Sequence, residues 1–322
     1  MKWALRIVGA LAALLVVAFL LLRTPDTDPA EMRAKYGGAP SQFVEIGDGV
    51  TVHLRDEGPR DALPIILLHG SNADLHTWEP WAEDLSRDYR VIRFDQVGHG
   101  LTGPDPAHDY SRANFTADID EVARALGLDR FVIGGNSMGG KHALAYAIAH
   151  PGKVAGLVLV DASGPPRDAR VTEEDEDSGN IGFTIARMPG INHIAEQITP
   201  RSLIASSLDQ SVSVKSVASE EAIDRYWELL RYPGNRAATM ARFASEYPPF
   251  EREEVAQVRA PTLILWGAED RLIPVSAGEW FDELLPRSEL IVYDDIGHLP
   301  QEEAPARTLT DLRDWLATLE TS

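Results

Sequence analysis

The chain has 322 residues, of which 44% are hydrophobic and 25% charged, so it can bury a substantial core in one large domain or two small ones. Its formal net charge of −20 argues against a nucleic-acid partner, because phosphate binding needs clustered Lys and Arg. The absence of cysteine excludes disulfides, cysteine nucleophiles and thiolate metal sites.

The N-terminus carries an uninterrupted apolar run over Ile7–Leu22, preceded by Lys2 and Arg6. A secretory signal peptide has this layout but normally ends in a small-x-small cleavage site, which this run lacks. Because the segment approaches the length needed to cross a bilayer, the sequence predicts a signal anchor, a transmembrane helix over residues 1–23. The rest of the chain would then lie outside the cytoplasm, in the periplasm or the extracellular space. The alternative is cleavage and release.

The pattern changes after the apolar run. Residues 24–40 are rich in Pro, Asp and Gly, which is typical of a linker. From there on, short apolar runs alternate with segments of helical periodicity, as expected for parallel strands covered by helices on both faces. The predicted strands are Gln42–Ile46, Thr51–Arg55, Ile65–Leu68, Arg90–Asp95, Phe131–Gly134, Val154–Val160, Thr262–Trp266 and Glu289–Tyr293. The predicted helices are Thr77–Arg87, Phe115–Leu126, Met138–Ala149, Ala277–Leu284 and Ala306–Leu319.

Two departures from this alternation complete the predicted architecture. The first two strands are separated by Gly47-Asp48-Gly49, a hairpin signal, so the sheet should begin with an antiparallel edge. Residues 164–249 contain only helix-like pieces, which indicates an inserted helical lid. The sequence therefore predicts an α/β fold: a doubly wound, mostly parallel eight-stranded sheet formed by residues 41–163 and 250–322.

The motif with the clearest chemical meaning is Gly135-Asn136-Ser137-Met138-Gly139, which lies between a predicted strand and a predicted helix. A serine on a sharp strand-to-helix turn needs small neighbours, because the strained turn leaves no room for side chains. The turn would lift the Ser137 hydroxyl clear of the sheet, and the helix N-terminus behind it favours developing negative charge. The alternative is a glycine-rich turn with an incidental serine, but the flanking strand and helix favour a nucleophile.

A serine nucleophile needs a base, and the base needs a carboxylate to orient it. The ends of the last two predicted strands supply both types, with Glu269 and Asp270 after one strand and His298 after the other. In open α/β sheets, active sites form at these carboxyl ends. The two neighbouring acids point in different directions, and the resemblance described next favours Asp270 over Glu269. Asp161, at the end of another strand, is interpreted as structural.

Five motifs follow one another along the chain: His69-Gly70-Ser71-Asn72, Phe94-Asp95-Gln96-Val97-Gly98-His99-Gly100, the Ser137 turn, Trp266-Gly267-Ala268-Glu269-Asp270 and Gly297-His298. With these motifs in this order, the chain resembles the α/β-hydrolase fold superfamily from about residue 42 to its end. The resemblance implies that Ser137 is the nucleophile, that His298 acts as general base and then acid, and that Asp270 orients His298.

The same resemblance implies an oxyanion hole formed by the backbone N–H groups of Ser71 and Met138, and one such donor is typically worth about two to three orders of magnitude in turnover. Asn72 could bind substrate or stabilise its own turn, and both roles stay open. No cofactor or metal site is predicted, because the histidines show no ligand spacing. Three histidines near the motifs are interpreted as structural rather than as bases: His69, His99 and His142.

The nucleophile separates this chain from some lidded relatives. Haloalkane dehalogenases and epoxide hydrolases resemble it in architecture but attack with aspartate, whereas Ser137 suits acyl transfer. The turn Gly135–Gly140 resembles that of the meta-cleavage product hydrolases, which split carbon–carbon bonds in ring-fission products. That family usually carries tryptophan directly after the catalytic histidine; here Leu299 stands there, and the residues after it resemble esterases.

These features predict a serine hydrolase that acts on a small molecule, a carboxylic ester with an apolar group, through an acyl-enzyme. Carbon–carbon bond hydrolysis is the alternative, and a non-catalytic binding protein on the same fold ranks third. The lid would set the choice of substrate. Its candidate apolar contacts are Phe183, Met188, Tyr226, Trp227 and Met240.

Overall fold

The computed structural model describes residues 2–166, 196–245 and 248–320. Its single eight-stranded sheet consists of β1 Gln42–Glu45, β2 Thr51–Glu57, β3 Pro64–Leu68, β4 Arg90–Phe94, β5 Phe131–Asn136, β6 Val154–Val160, β7 Thr262–Gly267 and β8 Ser288–Tyr293. The strand order is β1-β2-β4-β3-β5-β6-β7-β8. β2 pairs antiparallel with β1 and β4, and all other neighbours are parallel. The predicted fold class and its antiparallel edge are confirmed.

The chain also forms α-helices, several of which pack on the two faces of this sheet. In the described part of the chain they are α1 Lys2–Leu22, α2 Pro29–Tyr36, α3 Glu79–Leu85, α4 Arg112–Ala125, α5 Met138–Ala149, α6 Arg201–Ser211, α7 Glu220–Leu230, α8 Asn235–Ala244, α9 Arg252–Val255, α10 Val275–Leu284, α11 Pro300–Glu303 and α12 Pro305–Glu320. The predicted helix at residues 77–87 begins instead as a 3₁₀ turn over Leu75–Trp78 and continues as α3. Pro80 lies in the first turn of α3, where its missing N–H costs no hydrogen bond.

Alternate residues of the central strands enter apolar clusters on opposite faces of the sheet. In β3, Ile66 and Leu68 join side chains of α4 and α5, whereas Ile65 and Leu67 join Trp81 of α3 and the side chains of α12. Burial on both faces explains why the strand reads as a continuous apolar run. Each fully buried Ile or Leu contributes roughly 1.5–3 kcal/mol relative to an exposed one. The two clusters hold the sheet edge on which the site is built.

The predicted linker is not extended throughout. Asp28 accepts hydrogen bonds from the backbone of the first turn of α2, which occupies the middle of the segment. Met32 of this helix is buried against Leu101 and Leu229. The residues after the apolar run therefore pack on the rest of the protein.

The apolar run itself forms α1, and its side chains, such as Leu11, Leu14 and Leu21, are exposed. Among the residues that the structure describes, no helix has both the length and the apolar character that crossing a membrane requires. The transmembrane span predicted for residues 1–23 is therefore not supported by the structure.

The described part of residues 164–249 contains α6, α7 and α8 and no strand. Leu208 and Val212 of the α6 region pack with Ala222 and Ile223 of α7, and this cluster includes Leu299, the residue after His298. The boundaries of the proposed lid and core stay predictions. Of the candidate lid contacts, Phe183 and Met188 lie outside the described residues.

Candidate active site

Ser137 occupies the turn between β5 and α5 with φ 54° and ψ −116°, a strained conformation for a residue with a side chain. The turn closes on glycines. A Cβ on Gly135 would lie 2.2 Å from the carbonyl carbon of Gly139, and a Cβ on Gly139 would lie 2.1 Å from the carbonyl oxygen of Leu68. The glycine spacing noted in the sequence is therefore a steric requirement of this turn.

Backbone hydrogen bonds hold the turn between the helix and the next strand. The Ser137 N–H donates to the Val160 carbonyl at 3.0 Å, and the Ser137 carbonyl accepts from Lys141 at 3.2 Å and from Ser163 at 3.0 Å. Ser137 directly precedes α5, whose first N–H groups have no partner within the helix. Their partial positive charge favours an anion forming beside the serine.

His298 and Asp270 form a buried pair after β8 and β7. His298 Nδ1 lies 2.6 Å from Asp270 Oδ2, and the Asp270 Oδ1 accepts from the N–H groups of Leu272 at 2.7 Å and Ile273 at 3.1 Å. Three donors thus stabilise the carboxylate and fix the ring, so that Nδ1 carries the hydrogen and Nε2 can accept a proton. The neighbouring Glu269 turns away and accepts instead from the Ser213 hydroxyl at 2.7 Å.

The turn that carries His298 is tied to the residue before Ser137. Asn136 Nδ2 donates to the His298 carbonyl at 3.0 Å and to the Val160 carbonyl at 3.2 Å. The His298 N–H donates to the Ser211 carbonyl, at the end of α6, at 2.9 Å. The structure therefore brings Ser137, Asp270 and His298 to one edge of the sheet, at the carboxyl ends of β5, β7 and β8.

Glu303 is a residue of the site that the sequence did not predict. Its Oε2 accepts from the N–H groups of Ser213 at 2.7 Å, Val214 at 2.9 Å and Gly297 at 3.1 Å, and its Oε1 accepts from Leu299 at 3.1 Å. The side chain is buried. It joins the His298 turn to the segment after α6, and that long-range pairing leaves no local signal in the sequence.

The loop after β3 lies beside the serine, because a Cβ on Gly70 would be 3.3 Å from the Ser137 Cβ. Asn72, at φ 59°, accepts at Oδ1 from the Thr239 hydroxyl at 2.9 Å and from Arg242 Nη2 at 3.2 Å, both in α8. The Asn72 oxygen is thus bound to the lid segment. The oxyanion roles of Ser71 and Met138, and any contact of Asn72 with substrate, stay predictions.

The three histidines near the motifs have structural partners. His69 accepts from the Gln96 N–H at 3.0 Å, and its Nδ1 lies 2.7 Å from the Gly70 carbonyl. His142 Nδ1 lies 2.6 Å from Gln96 Oε1, and the ring stacks on Phe115 with centroids 4.0 Å apart. Burial lowers the pKa of His69 and of His142, so both rings are neutral at pH 7. The same holds for His99, where burial and the Arg242 charge lower the pKa.

Asp161, at the end of β6, is also part of this site. One oxygen of Asp161, one oxygen of Asp270 and one ring nitrogen of His298 all lie within 4.8 Å of one another. The Nδ1 hydrogen that His298 donates to Asp270 leaves that nitrogen no lone pair for a cation, so the contact between the two residues is a hydrogen bond. Burial, with the nearby Asp270 charge, raises the pKa of Asp161 well above its ordinary value.

Known proteins support the same architecture. The 2-hydroxy-6-oxo-2,4-heptadienoate hydrolase of Pseudomonas putida is 29% identical over 287 residues, covering 84% of this chain and 95% of the relative. The structure of a thermophilic esterase from Thermogutta terrifontis matches with a TM-score of 0.71 and 27% identity over 86% of this chain and 99% of the other. That of a bacterial membrane phospholipase A matches with a TM-score of 0.69 and 25% identity over 100% of both chains. A family model of the alpha/beta hydrolase fold matches residues 64–305, so the chain belongs to that family.

Proposed function

We propose that the protein is a serine hydrolase that cleaves a small-molecule carboxylic ester with an apolar group. The observation that carries the proposal is the hydrogen-bonded Asp270–His298 pair, which Asn136 links to the strained Ser137 turn. A strained, half-buried serine at the same sheet edge as an oriented imidazole is an arrangement suited to acyl transfer.

In the proposed reaction, the Ser137 Oγ attacks the ester carbonyl carbon while His298 Nε2 takes the hydroxyl proton. Asp270 holds the ring in the correct tautomer and stabilises the imidazolium that forms. The N–H groups of Met138 and Ser71 would stabilise the oxyanion. His298 then protonates the leaving alcohol, and water repeats the sequence on the acyl-enzyme to release the acid and restore the serine.

Ester cleavage is favoured by the environment of Leu299. This side chain, next to His298, is buried with Leu208 and Ile223 in an apolar cluster of the lid segment, which suits an apolar acyl or alcohol group nearby. Two of the proteins with matching structures, the esterase and the phospholipase A, support an ester substrate as well.

Carbon–carbon hydrolysis is the second candidate, and a separate observation favours it. Arg225 Nε donates to Asp74 at 3.1 Å, in the loop after β3, while its Nη2 is buried and has no hydrogen-bond partner within the described residues. A substrate carboxylate would satisfy that nitrogen, and the Pseudomonas putida relative is named for a dienoate. A neutral ester could accept a hydrogen bond from Arg225 but would supply no negative charge to pair with it.

A fluorophosphonate probe tests the enzyme class, because it labels an activated serine. We expect labelling of the wild-type protein that is lost in Ser137→Ala and strongly reduced in His298→Ala. A folded wild-type protein that does not label would favour a binding protein instead. Comparing kcat/KM for short p-nitrophenyl esters and for a dienoate ring-fission product then separates the two reactions, and a strong preference for the dienoate would reverse our order.

We also propose that α1 attaches the protein to a membrane, with the hydrolase outside the cytoplasm. Its apolar side chains are exposed, and Arg236 fixes the residues after it by donating to the Thr24 carbonyl at 2.8 Å and to Asp26 at 2.5 Å. The phospholipase match extends over the whole chain, α1 included. Full-length protein should pellet with membranes and need detergent for release, whereas a variant without residues 2–22 should be soluble. Full-length protein in the soluble fraction would contradict the proposal, and protease digestion of intact cells tests the side of the membrane.

A further inference from the structure

Asp161 directly follows β6, with φ 42°, and its side chain is fully buried. Oδ1 accepts from the Gly267 N–H at 3.0 Å, but Oδ2 has no hydrogen-bond donor among the described residues. A buried carboxylate oxygen without a donor is costly, so either this carboxyl group is protonated or the site is strongly destabilised.

The neighbouring acid decides where the proton lies. Asp270 receives three hydrogen bonds, from His298, Leu272 and Ile273, whereas Asp161 receives one. Two carboxyl groups this close do not both ionise readily, and the one that accepts more hydrogen bonds keeps the charge. The negative charge therefore belongs on Asp270 and the shared proton on Asp161, whose Oδ2 would donate it.

We propose that Asp161 is a positioning residue: its protonated carboxyl donates a hydrogen bond to Asp270 and so fixes the Asp270–His298 pair with a single negative charge. This inference rests on the proposed function of that pair. Two further ionisable groups, Glu303 and Tyr293, interact electrostatically with Asp161. The Glu303 charge, like that of Asp270, opposes ionisation of Asp161.

The proposal predicts a difference between two substitutions at one position. In Asp161→Asn, the amide can donate to Asp270 and accept from Gly267, so kcat and the pH profile of kcat/KM should stay close to those of the wild type. In Asp161→Ala the donor is lost, and Asp270 stabilises the His298 imidazolium more strongly. The acid limb of kcat/KM should then move up by about half a pH unit, the equivalent of one hydrogen bond.

Infrared spectroscopy measures the proton directly. The difference spectrum between the wild type and Asp161→Asn at neutral pH should contain the carbonyl stretch of a protonated carboxyl group. This readout needs no substrate, so it remains decisive for Asp161 even if the fluorophosphonate result refutes a catalytic Ser137, and it does not require Asp161→Ala to fold. Absence of that band, an equal shift of the acid limb in both variants, or failure of Asp161→Asn to fold would overturn the proposal.

Discussion

Replacing Gly135 by alanine tests whether the serine turn is as tightly closed as the structure indicates. The new Cβ would lie 2.2 Å from the Gly139 carbonyl carbon, 2.4 Å from its oxygen and 2.6 Å from the Gly140 nitrogen. An ordinary contact begins near 3.4 Å, so the start of α5 would have to move by about 1.2 Å (3.4 − 2.2). All three atoms are backbone, and β5 is paired on both sides, so neither partner can yield easily.

Overpacking of this kind costs about 3 kcal/mol of unfolding free energy. Activity should fall further, by about two orders of magnitude, because the displaced helix start carries Met138 and the serine with it. Chemical denaturation followed by circular dichroism gives the first quantity, and kcat/KM on a p-nitrophenyl ester gives the second. Gly152→Ala is the control, since a Cβ there meets nothing within 4 Å. A Gly135→Ala protein as stable and active as this control would refute the steric argument.

Three further substitutions test the acids around His298. Asp270→Asn should lower kcat by about 10³–10⁴-fold with little change in KM, because the amide would stabilise the wrong tautomer of His298; an unchanged kcat would rule Asp270 out as the orienting group. Glu303→Gln should cost about 3 kcal/mol in denaturation, because an NH₂ group would face backbone N–H donors, and a neutral result would show that the turn stands without it. Glu302→Gln should have the opposite effect on stability to Glu303→Gln. Burial raises the pKa of Glu302 to about 7 despite its hydrogen bond from Thr77, so the wild type should lose stability as the pH rises from about 4.5 to 7, and the variant should gain up to about 3 kcal/mol relative to it over that range. Parallel stability curves for the two proteins would contradict that assignment.

Where a residue's environment is set by the regular pattern of its own strand or turn, the sequence predicts the structure well. β3 reads as apolar throughout because both of its faces are covered, and the Ser137 turn is marked by glycines because backbone atoms fill the space of their side chains. Helix α2 was missed, although Asp28 and Pro29 are ordinary start signals, because the composition around them is that of a linker.

The contacts that depend on distant segments could not be predicted. Glu303 binds N–H groups of Ser213 and Val214, about ninety residues away in the chain, and no spacing rule connects them. The sequence allows two roles for Asn72 because the partners that bind it lie in α8. The choice of Asp270 over Glu269 came from resemblance, and the structure supplies its physical basis in the two N–H donors that follow Asp270.

Three buried acids at one sheet edge would be unfavourable in a protein of net charge −20 unless each were compensated differently. Glu303 receives four backbone N–H groups, Asp270 receives two and an imidazole, and Asp161 receives one and, as proposed, a proton. The number of donors, rather than the type of residue, thus decides which acid is charged. Only Asp270 combines that charge with contact to His298, and for this reason it is the acid suited to orient the base.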